Sequence, residues 1–148
     1  MKAIAGFALF LLFLAGFAFV MMMGRESADR SMAAGGVNLT GVHWRLVSVN
    51  GEIIADDSGM FISFDVDGSI KGSGGCNRIF GSLEKTQTGL AIGQLGATRM
   101  ACPEPIMNRE FEFLAALQET SEISTGSDRM HLLDNRNNVL AEFIDDAG

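Results

Sequence analysis

From Val42 onward, apolar and polar residues alternate with a period of two, and turn residues break the alternation every eight to twelve positions. Successive side chains of a strand point to opposite faces, so this pattern dictates short antiparallel strands with one wet face. Residues 44–49 read as the first strand, closed by Asn50-Gly51. Residues 61–66 form the next and turn at Asp67-Gly68 into residues 69–72. Asp-Gly tolerates the positive φ values of a type I′ hairpin turn. Shorter strands are expected at 79–83, 90–92 and 130–133. A last strand at 139–144 places Val139, Ala141 and Phe143 on one face.

One segment departs from this period. Between residues 105 and 120, Met107, Phe111, Leu114 and Leu117 recur at helical spacing, and Phe113 extends the stripe. Pro103 and Pro105 suit a helix entry. Arg109, Glu110, Glu112 and Gln118 would form the wet face, with the Phe/Leu stripe packed on the sheet. The expected fold class is therefore α+β: a mainly antiparallel sheet or partial barrel of short strands on one α-helix.

A transmembrane or signal helix is expected ahead of this domain. Residues 3–23 contain no charged and no hydrogen-bonding side chain. As a helix they would be roughly 31 Å long, which matches a bilayer core. This run explains a mean hydropathy of +0.22 in a chain of 148 residues. Lys2 precedes it, so the remainder should be exported. An uncleaved anchor fits the length of the run. A cleaved signal fits Ser31-Met32-Ala33, a small-x-small site. The expected organisation is an anchor or signal over 1–24, a linker over 25–40 and one folded domain over 41–148. The domain would lie on the periplasmic side of the inner membrane if anchored, or free in the periplasm if cleaved.

After residue 33 there are 8 basic and 16 acidic residues, a formal charge of −8. No basic cluster exists, which excludes nucleic-acid binding of the electrostatic kind. Two cysteines are too few for a disulfide scaffold or a four-thiolate zinc site. In an oxidising compartment they are expected to pair, Cys76 with Cys102, closing a loop 26 positions long.

The residues around these cysteines resemble a known family. Gly74-Gly75-Cys76-Asn77-Arg78-Ile79-Phe80-Gly81 looks like the G-x-C-N-x-[FY]-x-G signature of the META domain, the HslJ-like heat-shock protein family. Thr98-Arg99-Met100-Ala101-Cys102 is similar to its T-x-M-x-C signature. Trp44-Arg45-Leu46 with Asn50-Gly51 resembles the W-x-L…N-G opening, and His131-Leu132-Leu133-Asp134 resembles the L-x-L-x-D penultimate strand. Asn137-Asn138 stand where many members have a turn glycine. The resemblance spans about 42–144. It implies an envelope location and links to heat shock, antibiotic resistance, secretion and motility. It brings no catalytic residue.

The remaining motifs read as structure. Asp65-x-Asp67-Gly68 opens like a calcium loop but lacks the later ligands. Asp56-Asp57 and Asp145-Asp146 read as solvated charges. The glycines at 72, 74 and 75 lack the Lys-Ser/Thr of a phosphate loop and suit a strand bend. Cys76 with His43 or His131 and Asp134 could be drawn as a nucleophile, base and orienter, but a disulfide would block the nucleophile. Asn77, Arg78, Thr98 and Arg99 flank both cysteines and form the candidate binding surface, suited to an anion or carboxylate. No catalytic residue, metal or cofactor is assigned. The expected role is a monomeric, non-enzymatic interaction domain for an envelope protein or a small apolar or anionic molecule. It would meet the membrane through residues 3–23 if these are retained. The alternative is a carrier holding an apolar molecule between sheet and helix.

Overall fold

A computed structural model describes residues 39–87 and 89–146. The expected membrane run at 3–23 lies outside them. Among the described residues no helix is long and apolar enough to cross a membrane.

Among the described residues, nine strands and one α-helix follow the order β1 (His43–Val49), β2 (Glu52–Ile53), β3 (Met60–Phe64), β4 (Ser69–Gly74), β5 (Arg78–Lys85), β6 (Leu90–Ala97), α1 (Glu104–Glu119), β7 (Glu122–Thr125), β8 (Arg129–Leu133) and β9 (Val139–Asp145). The strands form one antiparallel sheet in the order β6-β5-β4-β3-β1-β9-β8-β7, with the short β2 paired on β1. Its end strands, β6 and β7, approach within 8 Å at Cα without hydrogen-bonding as neighbours. The sheet is thus a near-closed barrel. Register shifts at Leu46/Ser48, Phe80/Ser82 and Leu132/Leu133 supply local bends, which a closing sheet needs.

Alternation fills the interior. Trp44, Leu46, Met60, Ile62, Phe64, Ile70, Ile79, Met130, Leu132, Ala141 and Phe143 are buried there. Helix α1 packs against β9, β4, β6 and β1 and adds Phe113, Ala116 and Leu117. The Phe113 and Phe143 rings meet at 5.9 Å. Leu39, expected in the linker, is core: it is buried, and the Trp44 indole N–H donates to its carbonyl at 3.3 Å.

Several expectations shift. Asn50 and Gly51 both have positive φ, as a two-residue type I′ turn requires. At Asp67-Gly68 only Gly68 does, so the hairpin there is not type I′. Its loop is one residue longer: Asp65 N–H donates to Ser69 O, and Val66 lies in the turn, 82% exposed. In β9, Ala141 and Phe143 point inward but Val139 does not, because the register shift opposite Leu132/Leu133 breaks the alternation at Leu140. Strand β7 was not expected from the sequence. Its four residues are too few to show a period.

The helix is where expected but rotated. Its buried positions are Glu110, Phe113, Ala116 and Leu117, while Met107 is half-exposed and Phe111 is 73% exposed. The Met107-Phe111 side of the expected stripe therefore faces out, Leu114 stays half-buried against the core, and Glu110 faces in. The periodicity of α1 admits both phases, since Phe113 and Leu117 lie between them. The hydrogen bonds of Glu110 described below belong to the observed one.

Turn carboxylates hold the hairpins. Asp65 sits below its ordinary 3.8, chiefly through hydrogen bonds from Lys71 and Ser69. Asp134 is lowered chiefly by the Asn138 side-chain amide, then by the Asn138 backbone. A carboxylate lowered in the fold contributes stability above its ordinary pKa and loses it as pH falls through the folded value.

Two predictions follow from this packing. Phe113→Ala should cost about 3–5 kcal/mol in urea unfolding, while Phe111→Ala should stay within about 0.5 kcal/mol. The urea midpoint should fall on acidification from about pH 5 to pH 2, and less steeply in Asp134→Asn.

Candidate functional site

The β4–β5 hairpin closes with a Gly74 N–H bond to Asn77 O at 2.8 Å, leaving Gly75 and Cys76 as a two-residue loop. Gly75 takes φ +92, which suits a loop with glycine in its first central position. Cys76 at this tip is bonded to Cys102, just ahead of α1, with Cα atoms 6.0 Å apart. The expected pairing is therefore present.

A buried carboxylate from the helix completes the junction. Glu110 Oε2 accepts the Cys76 N–H at 3.2 Å and the Asn77 N–H at 2.6 Å, and Oε1 accepts the Asn77 side-chain amide at 2.6 Å. Gly74 is required here because a Cβ at that position would overlap the Glu110 side chain. Asn77 Oδ1 accepts the Met100 N–H at 2.6 Å and the Thr98 hydroxyl at 2.9 Å. Thr98 Oγ1 in turn accepts the Arg78 N–H at 3.1 Å. Burying charge and amide together is tolerated because each polar atom is matched.

These bonds sort the four expected binding residues. Asn77 is 6% exposed and its side chain is committed to the junction. Thr98 clamps β5 to the strand end after β6. Only Arg78 and Arg99 present free side chains. Both are exposed, and among the described residues neither guanidinium has an ion-pair partner. Glu110, the acceptor of the junction, was assigned by the sequence to the wet face. The one hint of its role was the glycine pair beside Asn77, which leaves room for an incoming side chain.

The other chemistry-bearing residues lie elsewhere. Cys76 is in the disulfide. His43 stacks on Phe61 at 4.0 Å and lies 3.6 Å from Asp146. His131 lies 3.9 Å from Glu142, which also pairs with Arg129. Asp134 accepts the Arg136 and Asn138 amides of its own turn. Asp65 pairs with Lys71, Asp67 accepts the Ser69 amide, and Asp56 pairs with Arg45. Among the described residues no three His, Cys, Asp or Glu side chains are grouped to hold a metal ion.

A near-closed antiparallel barrel with one packed helix, stapled from a hairpin tip to the helix entry, defines the class. The chain belongs to the META domain family, which matches residues 37–147. No curated relative matches significantly. Three solved structures share the fold. An NMR structure of a protein from Burkholderia xenovorans is 24% identical over 74% of this chain and 85% of that one, with a TM-score of 0.59. A second protein solved by NMR is 27% identical over 72% and 91%, with a TM-score of 0.56. A crystal structure of a DUF4847 family protein from Bacteroides vulgatus ATCC 8482 is 18% identical over 72% and 93%, also with a TM-score of 0.56.

The structure gives the signatures a physical content. Trp44 and Leu46 of the opening are core, and Asn50-Gly51 is its turn. Met130 and Leu132 point inward and Asp134 holds the following turn. Ile79 stands at the aromatic position of the first signature, a departure. It is 2% exposed, so an aliphatic side chain fills that core position.

Glu110→Ala would leave three donors without their acceptor, and should cost about 3 kcal/mol. Breaking Cys76–Cys102 should cost about 3.5 kcal/mol in the loop-entropy account. Because both changes act on one junction, the double variant should lose measurably less or more than the sum, read by urea unfolding of the four-member cycle.

Proposed function

We propose that this META domain is a non-enzymatic recognition module of the cell envelope, and that Arg78 and Arg99 beside the disulfide form its contact face. The observation that carries the reading is that Arg78 and Arg99, which flank the two disulfide cysteines on a domain of formal charge −8, have no ion-pair partner among the described residues. Their backbone is fixed by the Asn77–Thr98–Glu110 junction, so a partner anion would meet groups whose ordering cost is partly met in advance. An oxidising compartment agrees with the Cys76–Cys102 bond. Export through residues 3–23, as an anchor or as a cleaved signal, would put the domain on the periplasmic side, and a role in envelope stress or antibiotic resistance is proposed by analogy with the family. The module is read as a monomer.

The carrier alternative is less supported. Trp44, Phe64, Phe113, Phe143, Leu117 and Met130 are all fully buried in the one core that sheet and helix share. A Cys76 enzyme would first need the disulfide reduced.

The test is affinity capture from native envelopes with the wild type and with Arg78→Ala/Arg99→Ala. The double variant should lose the captured species while its urea stability stays within about 0.5 kcal/mol. Identical capture by both proteins would remove the contact face from consideration. Native thiol titration should detect no reactive cysteine. Two fast-reacting thiols would restore the enzyme reading.

A further inference from the structure

We infer that the outer face of β3, β4 and β5 carries a site for a small planar aromatic carboxylate, its ring between Phe61 and Phe80 and its anion on Arg78. The inference rests on the recognition reading and names a ligand class for the Arg78 side of it.

Register places these residues together. Phe61 pairs with Ser73, and Ser73 with Arg78, in one cross-strand row. Ser63, Lys71 and Phe80 form the next. Each of the six has a buried residue on at least one side in its strand, so alternation projects them outward. Ser73 is short and its row-mates are long, which leaves a groove of about 500 Å³ lined by Phe61, Lys71, Ser73, Arg78 and Phe80 over Gly72.

The walls of the groove are held. Phe61 is backed by the stacked His43 ring at 4.0 Å. Phe80 lies over Gly96, where a Cβ would overlap its ring, yet 53% of the residue stays exposed. A phenylalanine exposed to this degree contributes little burial to the fold, and its apolar face is available to another ring.

The polar groups choose the charge. Lys71 is neutralised by Asp65. Arg78 has no ion-pair partner among the described residues. One free guanidinium matches a monoanion, and its fork binds a carboxylate in two parallel bonds. A dianionic phosphate would need a second free cation in the groove, and Arg99 does not line it. Ser73 Oγ accepts the Gly75 N–H at 3.1 Å, which leaves its own proton to donate. The size chooses the class of occupant. A volume of about 500 Å³ lies in the range of small-molecule sites, whereas a protein partner needs about 800 Å² of surface on each side.

The probe is 2-naphthoate, titrated into the full chain in a single detergent and followed by amide NMR and naphthoate fluorescence. Comparison among variants in one detergent cancels partition into micelles. Amide shifts should concentrate at Phe61, Lys71, Gly72, Ser73, Arg78, Ile79 and Phe80. Arg78→Ala and Phe80→Ala should each raise the Kd by at least about tenfold, and Ser73→Leu should fill the groove and abolish binding. Arg78→Lys should fall between, keeping the charge but not the fork. Arg136→Ala, in a distant turn, should leave the Kd unchanged. The uncharged analogue 2-naphthalenemethanol should bind at least about tenfold more weakly. Absence of shifts at the groove, or an unchanged Kd in Arg78→Ala with its urea midpoint intact, overturns the inference. If the naphthoate arm fails while envelope capture still depends on the arginines, the groove falls and the recognition face stands. If naphthoate binds as expected while capture ignores the arginines, the groove stands and the partner face falls.

Discussion

The fold depends on a carboxylate placed where a helix meets a hairpin. Glu110 takes three hydrogen bonds from the Cys76–Asn77 tip, and this fixes both the rotation of α1 and the position of β4–β5. A buried carboxylate is costly unless its oxygens are matched. The match here comes from backbone and amide donors rather than from a cation, so the junction is specific in direction as well as charge. The disulfide adds a covalent link between the same two segments. It limits the unfolded chain, while the hydrogen bonds determine the geometry of the folded one.

Around this junction the sheet closes almost on itself. A strand edge exposes unpaired amides and carbonyls, and closure removes most of that hazard. The ends β6 and β7 approach without pairing, and Glu122 of β7 lies against Gly89, at the start of β6. Helix α1 stands between β6 and β7 in the chain, and its core side chains meet strands from both halves of the sheet. The family signatures now read as parts of one construction. The first is the hairpin tip, the second is the strap that satisfies Asn77 and carries Cys102, and the outer features are core and turns.

The same construction separates structural polar residues from available ones. Asn77, Thr98 and Glu110 spend their groups on one another. Arg78 and Arg99 do not, and they stand on an acidic domain. The groove beside Arg78 adds two aromatic walls and a serine on a sheet face that the fold itself does not need to be apolar. Recognition through this surface is compatible with a rigid scaffold, because the strands bearing Phe61, Ser73, Arg78 and Phe80 are tied into the sheet and Arg99 follows Thr98, which bonds to Arg78 and Asn77.

Local pattern was enough for most of the architecture. Period-two alternation located seven of the nine strands, and glycine and proline located the turns and the helix entry. Those signals are local, because a strand or a turn is set by residues a few positions apart. The sequence also determined the family, through two motifs at a fixed spacing, and the charge of the folded domain. Tertiary structure decided what depends on distant neighbours. It turned α1 so that Glu110 faces in and Phe111 faces out, against the more apolar stripe. It lengthened the Asp67-Gly68 loop, broke the β9 alternation at Leu140, and drew Leu39 into the core. It also assembled the Phe61–Ser73–Arg78 row from three strands, a juxtaposition set by register. The physical reason is common to all of these: a helix face, a bulge and a cross-strand neighbour are chosen by what the partner segment can satisfy, and that partner lies tens of residues away.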